Sequence, residues 1–176
     1  MSESNVGTRF DRLPATDADR RVEGRPSRAA VCQHFTDRYG IDRDTLEPYT
    51  FWEKGAGKVW ALRGEVESPV AIEALGIHVL RTRQRHWKLT TDAAQLFGRW
   101  ATKNVLEVAP GQAAPFWAGT TQSVDSTVDN GYVIVAQRLG DAVEPLGVGM
   151  YVDGELRSVV PKSRRRELPP LPPDTT

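Results

Sequence analysis

The chain has 176 residues, 23 acidic and 23 basic side chains, and 39% apolar residues. That length suits one domain, or two small ones packed together, and buries a core without covalent staples. The single cysteine, Cys32, excludes a disulfide framework and a cysteine-rich zinc site, and the zero formal charge leaves any case for an anionic partner to where the cations sit.

Residues 1–26 are polar, mixed in charge and poor in apolar periodicity, which predicts a flexible N-terminal arm. They hold no apolar core of a signal peptide, and no run approaches the roughly 20 apolar residues of a membrane span. A cytoplasmic protein without membrane contact is expected. Ser27 is a credible cap for a helix in which Ala30, Val31, His34, Phe35, Arg38 and Tyr39 recur at helical spacing, and Gly40 is its stop. Tyr49 to Glu53 and Lys58 to Leu62 read as a strand pair around the turn KGAG. The segment from Glu65 to Leu75 gives no clear pattern.

Ile77 to Leu80 reads as a strand and Trp87 to Leu89 as its return. Thr91 reads as the cap of a short helix with the stripe Ala93, Leu96, Phe97 and Trp100. Lys103 to Val108 is a further strand, and Ala113 to Ala118 a helix with Pro115 in its first turn. From Gly131 the pattern is β: GYVIVAQR is a strand buried on both faces, LGDAVEP a turn, and LGVGMYV a second strand. Asp153-Gly154 is a hairpin signal leading into ELRSVV, which Pro161 ends. Residues 169–176 form a proline-rich tail, expected to be mobile.

Arginine outnumbers lysine 18 to 5, which suits planar recognition of phosphate and stacking on bases, but equally the codon bias of a GC-rich genome. Two clusters stand out. The first, in GIHVLRTRQRHWKLT, holds Arg81, Arg83, Arg85 and Lys88 with no acid. If the strand runs past Leu80, the three arginines share one face and repel one another unless an anion or acids elsewhere neutralise them. Phosphate is the natural anion, with Trp87 or His86 as a stacking surface for an unpaired base. The second cluster is Lys162, Arg164, Arg165 and Arg166 behind Pro161. The competing reading of both is a solvated loop and a solvated tail. Gly147 and Gly149 mark a bulge or a close backbone approach, and would let an RNA backbone lie against a bare strand.

Catalysis finds little support. His34, His78 and His86 lack metal-ligand spacing, His34 and His78 read as structural, and Cys32 has no neighbour that would lower its pKa. No GxSxG, HExxH or phosphate-loop pattern occurs. Asp125 and Asp129 read as turn-formers. No enzyme activity, metal or cofactor is expected.

The C-terminal half resembles the PUA-like RNA-binding module that ends the Fmu/Sun (nucleolar-protein) family of RNA 5-methylcytosine methyltransferases. The resemblance rests on GYVIV (131–135), PLGVGM (145–150), DGELRSVVPK (153–162) and SRR (163–165). Upstream, EALGIHVLRTRQRHWKLT, the helix from Thr91 to Ala101 and APFWAGT follow in the same order. Ser27 to Ile41 and YTFWEKGAGKVWAL resemble the short pre-PUA element of the stand-alone archaeal form, which lacks the methyltransferase domain. Val148, Met150 and Ser158 depart from the module's usual aromatic, lysine and asparagine.

The resemblance implies an α+β fold: a pre-PUA element over 27–73 followed by a PUA-like mixed β-barrel over 74–168. It also implies a non-enzymatic RNA-binding protein in rRNA processing, ribosome biogenesis or tRNA maturation. The partners would be rRNA or tRNA, and an RNA methyltransferase or a pre-ribosomal particle. Arg81, Arg83, Arg85, Trp87, Lys88, Lys162, Arg164, Arg165 and Arg166 are the expected RNA-binding residues. The alternative is a protein-interaction module with little RNA affinity.

Overall fold

The computed structural model describes residue 7 and residues 9–67 and 70–165. Arg166 and the expected tail over 169–176 lie outside them. The architecture is α+β, with helices and two five-stranded sheets, one of them curled into a half-barrel.

Helix α1, Arg28–Tyr39, begins where the Ser27 hydroxyl accepts the Ala30 N–H at 3.0 Å. It ends where Gly40 takes φ 61°, a conformation that costs glycine little. A single turn, α2 (Arg43–Leu46), follows behind an Asp42 cap. Strands β2 (Tyr49–Lys54) and β3 (Lys58–Arg63) then form the expected antiparallel pair. Strand β4 (Ile77–Arg81) pairs with β3, and the two-residue β5 (Lys88–Leu89) closes one edge.

The other edge departs from expectation. Residues from Arg9 to Pro26 do not form a flexible arm: Phe10–Arg12 make strand β1, paired antiparallel with β2. Phe10 is fully buried with Trp52 and Leu75, and Leu13 enters the main core. Arg25, only 8% exposed, donates from Nε to Glu53 Oε1 and from a terminal nitrogen to Asp11 Oδ2, each at 3.0 Å. Glu53 is 1% exposed, and its second oxygen accepts the Gly57 N–H. The segment lacks apolar periodicity because one aromatic, one leucine and a buried ion pair seat it.

Helix α3, Thr91–Phe97, is capped by Thr90 rather than Thr91, the Thr90 hydroxyl accepting the Ala93 N–H. Trp100 lies beyond that helix and is 46% exposed, so it drops out of the expected stripe. The second sheet holds β6 (Val105–Val108), β7 (Gln122–Ser123), β8 (Gly131–Leu139), β9 (Ala142–Val152) and β10 (Glu155–Ser158). Its order is β6-β8-β9-β10-β7, with β6 parallel to β8 and the other pairs antiparallel. Helix α4 is longer than expected, Pro110–Ala118, with Pro110 in its first turn and Pro115 inside it. The turn read in LGDAVEP shrinks to Gly140-Asp141. Pro145 belongs to β9, tolerated because Leu146 bulges out of register between Gly147 and Pro145.

Strand β8 is buried on both faces, as its unbroken apolar run requires. Ile134, with Val148 of β9, faces the core built by α1, α3 and the first sheet. Val133 and Val135 face the core under α4 with Leu106, Phe116 and Leu156. The expected boundary at residue 73 therefore does not separate two units: β4 and β5 complete the first sheet, and one core joins both sheets.

Replacing Arg25 by Met should lower unfolding stability by roughly 3 kcal/mol, because the buried Glu53 loses the guanidinium that Arg25 brings to it. Adding Glu53→Leu should restore about half of that loss. Urea denaturation of the two variants checks both statements; equal loss in both would contradict them.

Candidate nucleic-acid interface

The registers of the first sheet place Lys58 of β3 opposite Arg81 of β4, and Arg81 opposite Lys88 of β5. Three cations thus stand in one row across three strands. Like charges directly opposite each other destabilise a sheet, so the row is a standing electrostatic cost. Among the described residues none of the three forms an ion pair. Burial and then Arg81 lower the pKa of Lys88.

Arg81 and Lys88 line a cleft of about 390 Å3 with His78, Thr90, Thr91, Asp92, Ser163 and Arg164. The two basic clusters of the sequence therefore share a surface. Arg164, in a 3-10 turn (Lys162–Arg164), reaches Asp92 with both terminal nitrogens, at 2.6 and 3.1 Å. Among the described residues Asp92 is the one carboxylate that lines the cleft. His78 stacks on Trp60 with ring centroids 5.3 Å apart, and its Nε2–H donates to Leu80 O. Burial is the largest cause of its lowered pKa, with Arg81 and Lys58 adding to it.

Other members of the expected site go elsewhere. Strand β4 ends at Arg81, so the alternation that would have aligned Arg81, Arg83 and Arg85 does not continue. Arg83 donates to Glu23 O and packs on Gly24 and Gly57, acting as a strut between the N-terminal segment and the β2–β3 turn. Arg165 donates to Val160 O and lies against Gly119 at the end of α4. Lys162 is exposed and does not line the cleft. Arg166 falls outside the described residues.

Arg85, His86 and Trp87 line a second cleft, of about 560 Å3, with His34, Tyr39, Arg38 and Tyr132. Trp87 leans on His34 at 5.1 Å between ring centroids. Nε2 of His34 is shielded from solvent and has no hydrogen-bond partner among the described residues. Burial, aided by the charge of Arg38 and opposed by Asp37, lowers the pKa of His34 to about 4. Lys88 Nζ lies 5.8 Å from the centroid of the Tyr132 ring, so a lysine of the first cleft touches a wall of the second.

Several expectations about individual residues change. Val148 is fully buried in the core, so it offers RNA no contact. Gly147 and Gly149 are not bare toward solvent either. A Cβ on Gly149 would lie 2.4 Å from Leu156 Cδ1, and one on Gly147 3.3 Å from Thr91 Cγ2; the glycines make room for neighbouring side chains. Cys32 does have a basic neighbour, since Arg28 donates to its sulfur at 3.3 Å, yet burial outweighs that charge and raises the thiol pKa.

Lys58, His34 and Tyr132 are the residues that the sequence reading missed. Lys58 follows only from the β3–β4 register, which the sequence leaves open, and the other two carry no local signal. Among the described residues no group of histidines, cysteines and acids is placed to hold a metal ion. No described helix is long and apolar enough to cross a membrane.

Residues 1–76 match a family of unknown function, DUF7122. The match includes the N-terminal segment, α1 and the β2–β3 pair, and stops just before β4. Lys58 lies inside it, while Arg81, Lys88 and Arg164 lie beyond it. No curated protein matches the chain.

His34 makes a prediction about acid. Its folded pKa of about 4 lies below the ordinary 6.5, so between those values the unfolded chain binds more protons. Stability should therefore fall as pH drops from 6.5 to about 4, by roughly 3 kcal/mol over that window. His34→Phe should flatten this part of the profile in chemical denaturation at stepped pH. An unchanged profile would show that other groups carry it.

Proposed function

We propose that the chain is a non-enzymatic RNA-binding protein with a PUA-like fold, acting in rRNA processing, ribosome biogenesis or tRNA maturation. An RNA methyltransferase or a pre-ribosomal particle is the setting that the resemblance suggests. The observation that carries the reading is the row Lys58–Arg81–Lys88, with Arg164 across the cleft that Arg81 and Lys88 line and Asp92 as the one carboxylate there among the described residues. Such a row costs stability unless an anion sits over it, and a polyphosphate strand is the ligand that covers several cations at once. Supporting the PUA-like assignment, GYVIV, PLGVGM and ELRS fall on three consecutive paired strands, β8, β9 and β10.

Arg164 is held by Asp92 in a bidentate pair of two half-exposed side chains. Surface pairs of this kind are worth about 0.2–1 kcal/mol, less than a phosphate contact offers at low salt. Asp92 is thus a weak internal competitor, and Arg164 is available to an anion.

Binding of a fluorescently labelled structured RNA, followed by anisotropy across a salt series, tests the proposal. Affinity should fall steeply with salt, and Arg81→Ala, Lys88→Ala and Arg164→Ala together should flatten the log–log slope by about 2 to 3. Asp92→Asn should strengthen binding a few-fold at low salt by freeing Arg164. Retention that is equally weak at low and high salt would overturn the RNA reading. Salt-tolerant complexes with a protein partner would favour the interaction module instead.

A further inference from the structure

The second cleft is left unused by phosphate contacts, and its chemistry is different. Trp87, His34, Tyr39 and Tyr132 give it an aromatic lining. His34 lies 5.1 Å from Trp87 and 5.9 Å from Tyr39 between ring centroids, so these rings form one continuous cluster. Burial keeps His34 uncharged at neutral pH, which makes it an aromatic face rather than a cation.

The polar groups around the cleft are largely engaged with each other. Arg38 donates to the carbonyls of Asp129, Asn130 and Tyr132. Gln33 donates to Asp37 and accepts from Arg43. Asn130 donates to Asp153 and accepts its N–H. Those three side chains have little capacity left to read the edge of a ligand; Asp17, which accepts from Arg20, lines the same cleft. What the cleft offers is ring faces, with the guanidinium of Arg85, unpaired among the described residues, beside them. Its volume, about 560 Å3, is on the scale of a small-ligand site.

The two clefts are not independent. Lys88 of the cationic cleft rests on Tyr132 of the aromatic one, and Trp87 and Lys88 are consecutive residues that line one cleft each. A ligand that crosses this partition meets phosphate-binding groups on one side and stacking groups on the other. We infer that the aromatic cleft receives an unpaired base of an RNA strand whose phosphates lie over Arg81, Lys88 and Arg164. The ligand class is single-stranded RNA with little base preference. This rests on the RNA-binding reading and narrows it. A base inside a duplex already has both faces stacked and cannot enter, whereas every unpaired base has a face to offer.

The test compares the full chain's binding to poly(rU) and to the poly(rA)·poly(rU) duplex at one salt concentration. Stacking of one base, worth about 1–3 kcal/mol, predicts a single-strand preference of roughly five-fold to 150-fold. Trp87→Leu should bring the ratio of the two affinities close to one.

Trp87 also packs against the main core, so an unmodified protein supplies the second readout. Poly(rU) carrying 4-thiouridine, irradiated on the wild-type chain, should cross-link to the peptide holding Trp87 or Tyr132. Equal affinity for the two polymers, equal loss on both in Trp87→Leu, or cross-links confined to other peptides would overturn the base site while the RNA reading stands. Absence of salt-sensitive binding to either polymer would overturn both.

Discussion

Arg25 is a buried guanidinium that holds three parts of the chain in place. It bonds Asp11 of the first strand and Glu53 of the second, and Glu53 in turn takes the backbone N–H of Gly57 in the β2–β3 turn. Gly57 O then accepts the N–H of Thr82, and its α-carbon leaves room for the stem of Arg83. The position of the basic β4–β5 hairpin therefore depends on a charge pair whose two members stand 28 residues apart and both precede the hairpin in the chain. A buried pair of this kind contributes little net stability over an apolar replacement, but breaking it on one side is costly. Its consequence here is geometric: it fixes where the loop carrying Arg83 and Arg85 leaves the sheet.

On that frame the chain collects positive charge without balancing it locally. Lys58, Arg81 and Lys88 come from three strands, and the cross-strand register rather than the sequence distance brings them side by side. Net charge conceals this because the acids sit elsewhere: Glu107 pairs with Arg138, Glu65 with Arg12, and Glu155 with Arg157. A neutral protein can thus present a cationic row beside a cleft that Arg81, Lys88 and Arg164 line. Beside it, the second cleft presents aromatic rings, so the two neighbouring surfaces ask for different parts of one ligand.

Much of the fold could be read from the chain because local chemistry and tertiary role agree there. Ser27 and Gly40 bracket α1, KGAG turns β2 into β3, and the apolar run of β8 signals burial on both faces. The failures share a cause. Phe10 and Leu13 are isolated apolar residues whose seats are made by Trp52, Leu75 and α1, which are distant in sequence, so the segment reads as disordered until those seats exist. The same holds for the site. Arg81, Lys88 and Arg164 stand out as cations, but Lys58 joins them only through pairing that the unpatterned segment before β4 hides. Arg83 and Arg165 carry the same charge and the same local context, yet they pack on glycines and bind carbonyls.

The shared core has a consequence for how the chain can be divided. Ile134 and Val148 of the second sheet cover the same apolar interior that Phe51, Val59 and Ala61 of the first sheet face. A chain ending at residue 76 would keep α1 and the β2–β3 pair but lose β4, α3 and that cover, leaving a wide apolar face open to water. The region matched to a family is thus not, in this protein, a separable folding unit. Loosening either sheet exposes the interior of the other, which ties the cationic cleft and the N-terminal segment to one melting event.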